Sequence, residues 1–498
     1  MATFFIENFG CRATEADAAA LRCELSAKGL TQVGQHTAAD FVVLNTCTVT
    51  AAADSQAREA VRKIHRANPR ARIVVTGCYA QRAPHEIAAI GGVAWVIGNS
   101  HQPEIPEIIR RLAASTDGSP SRSRTADFVP LAALADDLMS LAQGPAKILT
   151  GDILAQASVQ VASVTMADAD RTRPILKIQD GCNNRCAYCV IPSVRGRSRS
   201  LHPDKVVQEV RSLVAAGAKE VVLSGINLGS YGRDLDSRVE LGRVVRRILD
   251  ETELDRLRFS SIEPHDVDEE FVALVASSDR LARHFHVPLQ SGSDRILRAM
   301  HRWYRTEFYV ERMKLIRRLL PDAAIGADVI VGFPGETDDE FQATAAFIER
   351  LPCTYLHIFS FSARPGTEAA NLADLVPAAI IRERARVLRF VGANKAAAFR
   401  ASQAGRVLRA LTLSRGGEDW TEALTGNYLK VRIAGRHPAN EWHEAVVEGE
   451  ARQTSLCSAG SAFENHLRES QIAAVGDRQR DVLHSKSVGE LACHAFEI

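Results

Sequence analysis

Three cysteines lie close together in the segment DGCNNRCAYCVIP, at Cys182, Cys186 and Cys189. Three thiolates at this spacing can hold one metal centre if the loop curls back, which Gly181 and the two asparagines permit. A tetrahedral zinc site needs a fourth protein ligand, and no partner Cys-x-x-Cys or paired histidine motif lies nearby. A cubane iron–sulfur cluster needs only three and leaves one iron open. We predict a cluster here, with a zinc knuckle or unrelated core cysteines as the alternatives.

A second set of cysteines is spread over the first eighty residues. Cys11, Cys47 and Cys78 each follow an apolar, β-branched run, in FFIENFGC, DFVVLNTC and ARIVVTGC. Helical stretches separate these runs, which is the pattern of a parallel α/β sheet, and the carboxyl ends of its strands share one edge. A single cysteine at a strand end is more often a small buried apolar residue. Three at equivalent places predict a second metal site.

Composition limits the class of protein. The chain has 498 residues and ten cysteines, too large for a small disulfide scaffold, and it has no run of about 18 apolar residues that would cross a membrane. Its first residues do not form a secretory signal, so we expect a cytoplasmic protein without a membrane partner. The net charge of +1 means that a nucleic-acid partner would need local basic patches.

The central region predicts the elements that position the second cysteine motif. Six strand candidates alternate with helical stretches: ILKIQ, EVVLSG, RLRFSSI, HFHVPL, AAIGADVIVGF and YLHIFSF. Such alternation predicts parallel strands with crossover helices, either a doubly wound sheet or a partial barrel, with ligands at the carboxyl ends. The fold class is therefore α/β, with a small β barrel predicted from the short alternating runs after residue 400. We place the domains at 1–112, 173–400 and 401–456, with a linker at 113–172 and a tail at 457–498.

The motif with Cys182, Cys186, Tyr188 and Cys189 resembles the signature of the radical S-adenosylmethionine (SAM) superfamily. The resemblance implies a six-unit partial βα barrel in which the open iron of the cluster chelates SAM. Reductive cleavage of SAM then gives a 5′-deoxyadenosyl radical.

The strings GCRATEAD, LNTCTVT and VVTGCYAQ resemble the N-terminal domain of the methylthiotransferases, apart from Thr14, where that family commonly has asparagine. The resemblance implies that Cys11, Cys47 and Cys78 hold a second cluster, giving two 4Fe-4S clusters in all. The segment NYLKVRIAGRHP is similar to the RNA-binding TRAM domain that ends such chains.

Further polar residues lie at predicted strand ends. The resemblance places Gly225 and Asn227 of LSGINLGSYG in the SAM-contacting loop, although the glycines alone would equally suit an ordinary turn. Glu263 ends the third strand, where it would bind a ribose or an amine or would remain a solvated charge. Gln290 ends the fourth strand, and Asp328 lies in the fifth. Residues His284 and His286 fall inside a strand and are predicted to be packed.

Two arginine-bearing stretches predict RNA contacts. Arg195, Arg197 and Arg199 alternate in RGRSRS and can hold phosphates on an extended face, the alternative being a solvated loop. Lys430 and Arg432 lie on a strand of the predicted small barrel, a type of fold that often binds RNA.

The strings RGRSRS, LSGINLGSYG and SSIEP most resemble the branch of the family that modifies N6-threonylcarbamoyladenosine beside the tRNA anticodon. This implies an enzyme that uses two SAM molecules to place a methylthio group on C2 of the adenine at position 37, with the N-terminal cluster delivering sulfur. The partners would be a tRNA anticodon stem-loop, an electron donor and a sulfur source. Alternatives are a methylthiotransferase for isopentenyladenosine or a ribosomal-protein aspartate, or a non-catalytic RNA-binding protein with structural zinc.

Overall fold

A computed structural model describes residues 1–114, 146–156, 159, 172–451, 471–473 and 490–496. Most of the predicted linker at 113–172 and most of the predicted tail at 457–498 therefore lie outside the described residues. Among the described helices, none is long and apolar enough to cross a membrane.

The N-terminal domain is a six-stranded parallel sheet with helices on both sides. Its strands are β1 (Thr3–Asn8), β2 (Thr31–Gln32), β3 (Phe41–Thr46), β4 (Arg72–Gly77), β5 (Val93–Gly98) and β6 (Lys147–Leu149), in the order β2-β1-β3-β4-β5-β6. Its helices are α1 (Arg12–Ala27), α2 (Ala51–Ala67), α3 (Cys78–Arg82), α4 (Pro84–Ala88) and α5 (Ile105–Ala114). All six residues of β3 are buried, as expected for a central strand covered on both faces.

Strand β6 differs from the predicted boundary at residue 112. It lies in the segment assigned to the linker and pairs in parallel with β5 at the sheet edge. Three residues are too few to show an alternating pattern, so sequence periodicity could not detect this strand.

The central domain contains the six predicted strands, here β7 (Ile175–Asp180), β9 (Glu220–Gly225), β10 (Arg256–Phe259), β11 (His284–His286), β12 (Ala324–Val331) and β13 (Tyr355–Ser360), with a short antiparallel β8 (Arg199–Ser200) beside β7. The helices between and after them are α6 (Ile191–Arg195), α7 (Pro203–Ala215), α8 (Leu241–Glu251), α9 (Glu269–Ala276), α10 (Asp294–Ala299), α11 (Thr306–Leu319), α12 (Asp338–Arg350) and α13 (Ala378–Ala401).

The six strands form a partial barrel from two sheets, ordered β10-β9-β7-β8 and β11-β12-β13. A parallel bridge from Leu257 to Leu281 joins β10 to the segment that leads into β11. Ile178, Leu223 and Phe259 belong to the large core between strands and helices. Side chains alternate along a strand, so the residues before and after these three in sequence point to the opposite face of the strand. That face lines the interior of the barrel, which we call the lumen.

The C-terminal region is a small closed barrel, as the sequence predicts. Its strands are β14 (Val407–Gly416), β15 (Trp420–Thr425), β16 (Lys430–Ala434), β17 (Trp442–Val447) and, from the distant segment Glu490–Phe496, β20; β18 (Gly449–Ala451) and β19 (Gln471–Ala473) form a separate pair. Strand β20 lies between β16 and β17 and pairs with both. The assignment of residues 457–498 to a tail outside the barrel is therefore wrong at 490–496, because the sheet needs this strand to close.

The two outer domains cover opposite ends of the central barrel. At the amino ends of the strands, the buried Arg256 and Arg258 donate to the carbonyl groups of Leu424 and Thr425 in the small barrel, each at 2.9 Å. At the carboxyl ends, Arg364 of the segment after β13 donates to Asp54 of α2 at 2.7 Å. The cysteine-bearing edge of the N-terminal sheet thus faces the cysteine-bearing edge of the barrel.

Candidate active site

The three N-terminal cysteines meet at the edge of their sheet. Cys11 precedes α1, Cys47 follows β3 and Cys78 begins α3. The turn before α1 passes directly beside Cys47: a Cβ added to Gly10, which has φ +121°, would lie 2.5 Å from the Cβ of Cys47. Cys47 and Cys78 are buried and Cys11 is exposed, so the cysteines form a group with one open side.

The electrostatics of this group suit a bound cation or cluster. Burial raises the pKa of Cys47 to about 12, and the neighbouring Cys11 and Cys78 add to the increase. Because iron ligands are thiolates, positive charge is needed to stabilise them here. Three N–H groups approach the sulfurs: Arg195 Nε lies 3.3 Å and Asn99 Nδ2 3.6 Å from Cys78 Sγ, and the Val49 amide lies 3.5 Å from Cys47 Sγ. Such N–H···S contacts are typical of iron–sulfur sites, so the residues fit a cluster.

The second trio lies on the loop that follows β7. Gly181, with φ +70°, starts this loop, and an added Cβ there would lie 2.0 Å from the carbonyl oxygen of Arg197. The amide of Cys182 donates to the Gly196 carbonyl at 3.1 Å, which folds the loop back on itself. Burial raises the pKa of Cys189 to about 12.

N–H donors also reach the sulfurs of this loop. The amide of Asn184 lies 3.4 Å from Cys182 Sγ, and Nη1 of Arg302 lies 3.3 Å from Cys186 Sγ. The second trio therefore resembles the first in its close thiols and N–H donors, and all three of its cysteines are partly buried. It also fits an iron–sulfur cluster.

A buried ionic network joins the two trios. Arg195 Nη2 donates to Asp17 of α1 at 2.8 Å, and Nη1 donates to Asp180 at 3.1 Å. Lys177 of β7 binds the same two carboxylates, with 2.8 Å to Asp180. Burial alone would raise the pKa of Asp180, but Lys177 and Arg195 outweigh it and hold that pKa well below its usual range. Each buried charge is thereby paired.

The prediction that Arg195 and Arg199 contact RNA phosphates is wrong. Arg195 is 2% exposed and has its nitrogens on Asp17, Asp180 and Cys78. Arg199 is 6% exposed, and its guanidinium donates to the Arg195 carbonyl at 3.0 Å. Arg197 between them is exposed. The alternation of RGRSRS thus places two of its arginines inside the domain interface.

Three of the four residues predicted to contact SAM lie beside the second trio or its loop, and the fourth, Gln290, lies beside Asp328 of β12. Asn227 Nδ2 is 4.0 Å from Cys182 Sγ, and a Cβ on Gly225 would lie 2.8 Å from Gln179 Oε1. Glu263 forms an ion pair with Arg302, the residue that also donates to Cys186. Gln290 adopts φ +69°, and its amide donates to the Asp328 carbonyl at 2.8 Å.

Sequence reasoning did not identify Asp17, Lys177 and Arg302. The burial of Lys177 could have been predicted from the sequence, because a lysine in the middle of the apolar run ILKIQ needs a buried partner. Asp17 lies in a helix and Arg302 in a loop, and neither segment has a sequence pattern that marks a buried charge. Asp17 binds Lys177, 160 residues away in the chain, and Arg302 reaches Cys186, 116 residues away, so local pattern does not reveal these contacts.

The floor of the lumen is closed by a residue of the small barrel. The ring of Tyr428 stacks on His284 with ring centres 4.1 Å apart, and its hydroxyl accepts a hydrogen bond from Arg12 at 3.0 Å. His284 is 1% exposed, so its prediction as a packed residue agrees with the structure. Burial lowers the pKa of His284 well below its usual range, which keeps the imidazole neutral.

Comparison with known proteins agrees with this architecture. The model of the radical SAM superfamily matches residues 176–348, and that of "uncharacterized protein family UPF0004" matches residues 3–98. A protein of Aquifex aeolicus (strain VF5) named threonylcarbamoyladenosine tRNA methylthiotransferase MtaB is 35% identical, over 86% of this chain and 96% of its own length. The chain belongs to the radical SAM methylthiotransferase family. As a member of this family, the chain is an enzyme that transfers a sulfur-containing group. Members of the family use SAM and a 4Fe-4S cluster.

Other matches agree with membership in this methylthiotransferase family. A protein of Thermobifida fusca (strain YX) named tRNA-2-methylthio-N(6)-dimethylallyladenosine synthase is 33% identical, over 77% of this chain and 72% of its own length. Among solved structures, the radical SAM methyltransferase TsrM of Kitasatospora setae has a TM-score of 0.50 at 18% identity, covering 74% of this chain and 77% of TsrM. That likeness concerns the fold alone.

Proposed function

We propose that this enzyme is a tRNA methylthiotransferase that places a methylthio group on C2 of N6-threonylcarbamoyladenosine at position 37, beside the anticodon. The observation that carries the proposal is that the two cysteine trios lie on either side of Arg195. Its guanidinium donates to Cys78 of the first trio and to Asp180, two residues before Cys182 of the second. The relative named for threonylcarbamoyladenosine matches this chain over 96% of its own length, which supports the choice of base.

In this proposal each trio holds one 4Fe-4S cluster. Cys182, Cys186 and Cys189 hold the SAM-binding cluster, and Cys11, Cys47 and Cys78 hold the second. When bound, these groups supply the radical chemistry that activates the C2–H bond and the sulfur that replaces the hydrogen. The chain supplies the N–H donors that stabilise the thiolates. In this proposal Gly225, Asn227, Glu263 and Gln290 position SAM.

The polar lumen favours a polar substrate substituent. Ser224 and Ser260 adjoin the core residues Leu223 and Phe259, so their side chains point into the lumen. Both hydroxyls are buried and have no hydrogen-bond partner among the described residues. An apolar dimethylallyl group would leave these hydroxyls unpaired, whereas a threonylcarbamoyl group offers partners. An exposed anticodon loop already presents unstacked bases, which lowers the cost of inserting one.

The cofactor content is tested by anaerobic reconstitution. We expect about eight irons per chain, and about four after replacing Cys11, Cys47 and Cys78 with alanine, since each 4Fe-4S cluster holds four. Replacing Cys23 and Cys353, which lie outside both trios, leaves the iron content unchanged. Zinc without iron in the wild-type protein would contradict the enzyme proposal.

The substrate is tested by mass spectrometry of tRNA nucleosides from a strain that lacks this gene and any paralogue. We expect loss of methylthiolated threonylcarbamoyladenosine, with its unmethylthiolated precursor accumulating. Loss of methylthiolated isopentenyladenosine instead would favour the activity in the name of the Thermobifida fusca relative. Complementation with the wild-type gene restores the product, and complementation with Cys186→Ala does not.

A further inference from the structure

A cluster of titratable side chains lies in the barrel lumen, outside both cysteine trios. His286, Asp328 and His357 come from the neighbouring strands β11, β12 and β13, and Asp328 stands opposite His357 in the sheet register. Nε2 of His286 lies 3.0 Å and Nδ1 of His357 lies 3.2 Å from the same oxygen, Oδ1 of Asp328. Three strands therefore direct polar atoms to one point.

The cluster has one closed and one open side. His286 is 7% exposed, and its Nδ1 is held by the Ser261 hydroxyl at 2.5 Å. Its Nε2 is buried and, despite the nearby carboxylate, makes no hydrogen bond within the described part of the chain. The side chain of His357 is 42% exposed. A buried nitrogen that lacks a hydrogen bond, next to an accessible imidazole, is the arrangement expected of a binding site for a polar group.

The charge of the cluster indicates the kind of ligand. Burial alone would raise the pKa of Asp328, but His286 and His357 outweigh this effect and hold the pKa well below its usual range. Asp328 is therefore a carboxylate at neutral pH, and a carboxylate only accepts hydrogen bonds. A ligand with N–H and O–H donors suits such a site.

The cluster lies at the level where the reaction is expected. The backbone carbonyl of His286 accepts from the Ile262 amide at 2.9 Å, one residue before Glu263. The carbonyl of Asp328 accepts from the amide of Gln290 at 2.8 Å. Glu263 and Gln290 are the residues that the proposed function assigns to SAM, so a ligand on the cluster would lie beside SAM.

We propose that His286, Asp328 and His357 bind the polar substituent on N6 of the substrate adenosine. The carbamoyl N–H and the threonyl hydroxyl donate to Asp328 and to Nε2 of His357, while His286 positions the Asp328 carboxylate. These residues bind and select the substrate and take no part in bond breaking. The inference rests on the proposed function, because it assigns the recognition of the threonylcarbamoyl group to that same lumen.

The experiment measures selectivity between two RNA substrates. Anticodon stem-loops of one sequence, with either threonylcarbamoyladenosine or plain adenosine at the target position, are titrated against the reconstituted, SAM-bound enzyme without oxygen. We expect the wild type to bind the modified RNA more tightly, and His357→Ala and Asp328→Asn to reduce this preference about tenfold or more. His357→Gln restores part of it, because an amide also donates and accepts. His202→Ala, an exposed histidine before α7, leaves the preference unchanged.

The outcomes separate the two proposals. If the wild type methylthiolates the modified RNA but His357→Ala and Asp328→Asn keep its full preference, the recognition role is wrong and the proposed function stands. If the wild type forms no product from the modified RNA, the proposed function fails first. The three ligand atoms lie within 4.8 Å of one another, a spacing that also suits a divalent cation. A stoichiometric metal other than iron in the wild type, lost in Asp328→Asn, would likewise overturn the recognition role.

Discussion

Nε of Arg195 donates to Sγ of Cys78 at 3.3 Å, while the remaining nitrogens of the same guanidinium bind Asp17 and Asp180. Asp180 comes two residues before Cys182 in the chain. One buried side chain of the central domain thus contacts a thiol of the N-terminal trio. The same side chain fixes the start of the loop that carries the second trio. Relative motion of the two trios would have to break charge-assisted hydrogen bonds.

We predict that Arg195→Lys lowers the reduction potential of the N-terminal cluster. An N–H···S bond and a nearby positive charge favour the reduced, more negative state, and lysine cannot keep all three partners of arginine. A shift of roughly 50 mV is expected, close to the 59 mV of a tenfold change in a one-electron equilibrium. The potential is measured by redox titration followed by electron paramagnetic resonance, with Cys182, Cys186 and Cys189 replaced by alanine.

Arg302→Lys in the same background serves as the matched control, since Arg302 contacts the other trio. It leaves the potential of the N-terminal cluster unchanged. An equal shift in both variants would show that the Arg195 contact is not responsible.

We predict that Gly181→Ala removes the iron of the central site. The new Cβ would approach the Arg197 carbonyl to 2.0 Å at a φ of +70°, so the cysteine loop cannot keep its path. Iron analysis after reconstitution should fall to about half of the wild-type value. Gly217→Ala is the control, because Gly217 has φ +95° but an added Cβ meets nothing within 4 Å. Equal iron loss in both variants would indicate a general effect of positive φ.

We predict that Glu220→Gln destabilises the protein by about 3–5 kcal/mol at pH 7, because it leaves Arg256 and Arg258 buried without their carboxylate. Burial alone would raise the pKa of Glu220, but the two arginines outweigh it and the pKa lies well below its usual range. Because this pKa is lowered in the folded protein, the ionised Glu220 stabilises the fold fully above about pH 4.5, the ordinary pKa of the group. The stabilisation declines as the pH falls below that value.

The difference in unfolding free energy between wild type and Glu220→Gln should therefore stay constant from about pH 7 to 5 and narrow below about pH 4.5. Denaturant unfolding at several pH values measures it. Glu251→Gln, a change in a partly exposed ion pair with Arg247 and Arg211, should have a much smaller effect. A difference that grows as pH falls would contradict the assigned direction of the pKa.

We predict that Arg197, Lys430 and Arg432 contribute to RNA affinity through phosphate contacts. Arg197 is exposed, Lys430 Nζ lies 3.9 Å from Glu422, and the guanidinium of Arg432 lies 4.1 Å above the Trp420 ring. Alanine at each position should weaken tRNA binding and reduce the slope of affinity against salt by about one. Arg386→Ala, which removes an exposed charge on α13, is the control. An unchanged salt slope in all three variants would exclude phosphate contact.

The sequence was sufficient to predict the elements that carry the cysteines. β-Branched runs followed by a cysteine identify β1, β3 and β4, and the six central strands follow from alternation with helices. Parallel strands share a carboxyl edge, so the convergence of Cys11, Cys47 and Cys78 also follows from pattern.

Contacts between distant segments could not be predicted in this way. RGRSRS has the alternation of an exposed strand, yet Arg195 is buried because Asp17, 178 residues earlier, pairs with it. Similarly, the short edge strand β6 and the closing strand β20 are defined by their partners rather than by their own periodicity. The same reason explains the cluster at Asp328, whose histidines are adjacent only across strands.

The stacking of Tyr428 on His284 has a consequence for chimeric enzymes. Replacing the small C-terminal barrel with that of another family member also replaces Tyr428, the residue that closes the floor of the lumen. Donor and host must then match at Tyr428, Arg258 and Arg12, as well as at any RNA-contacting surface. Exchange of the small barrel therefore also changes the residue that stacks on His284 at the amino ends of the central strands.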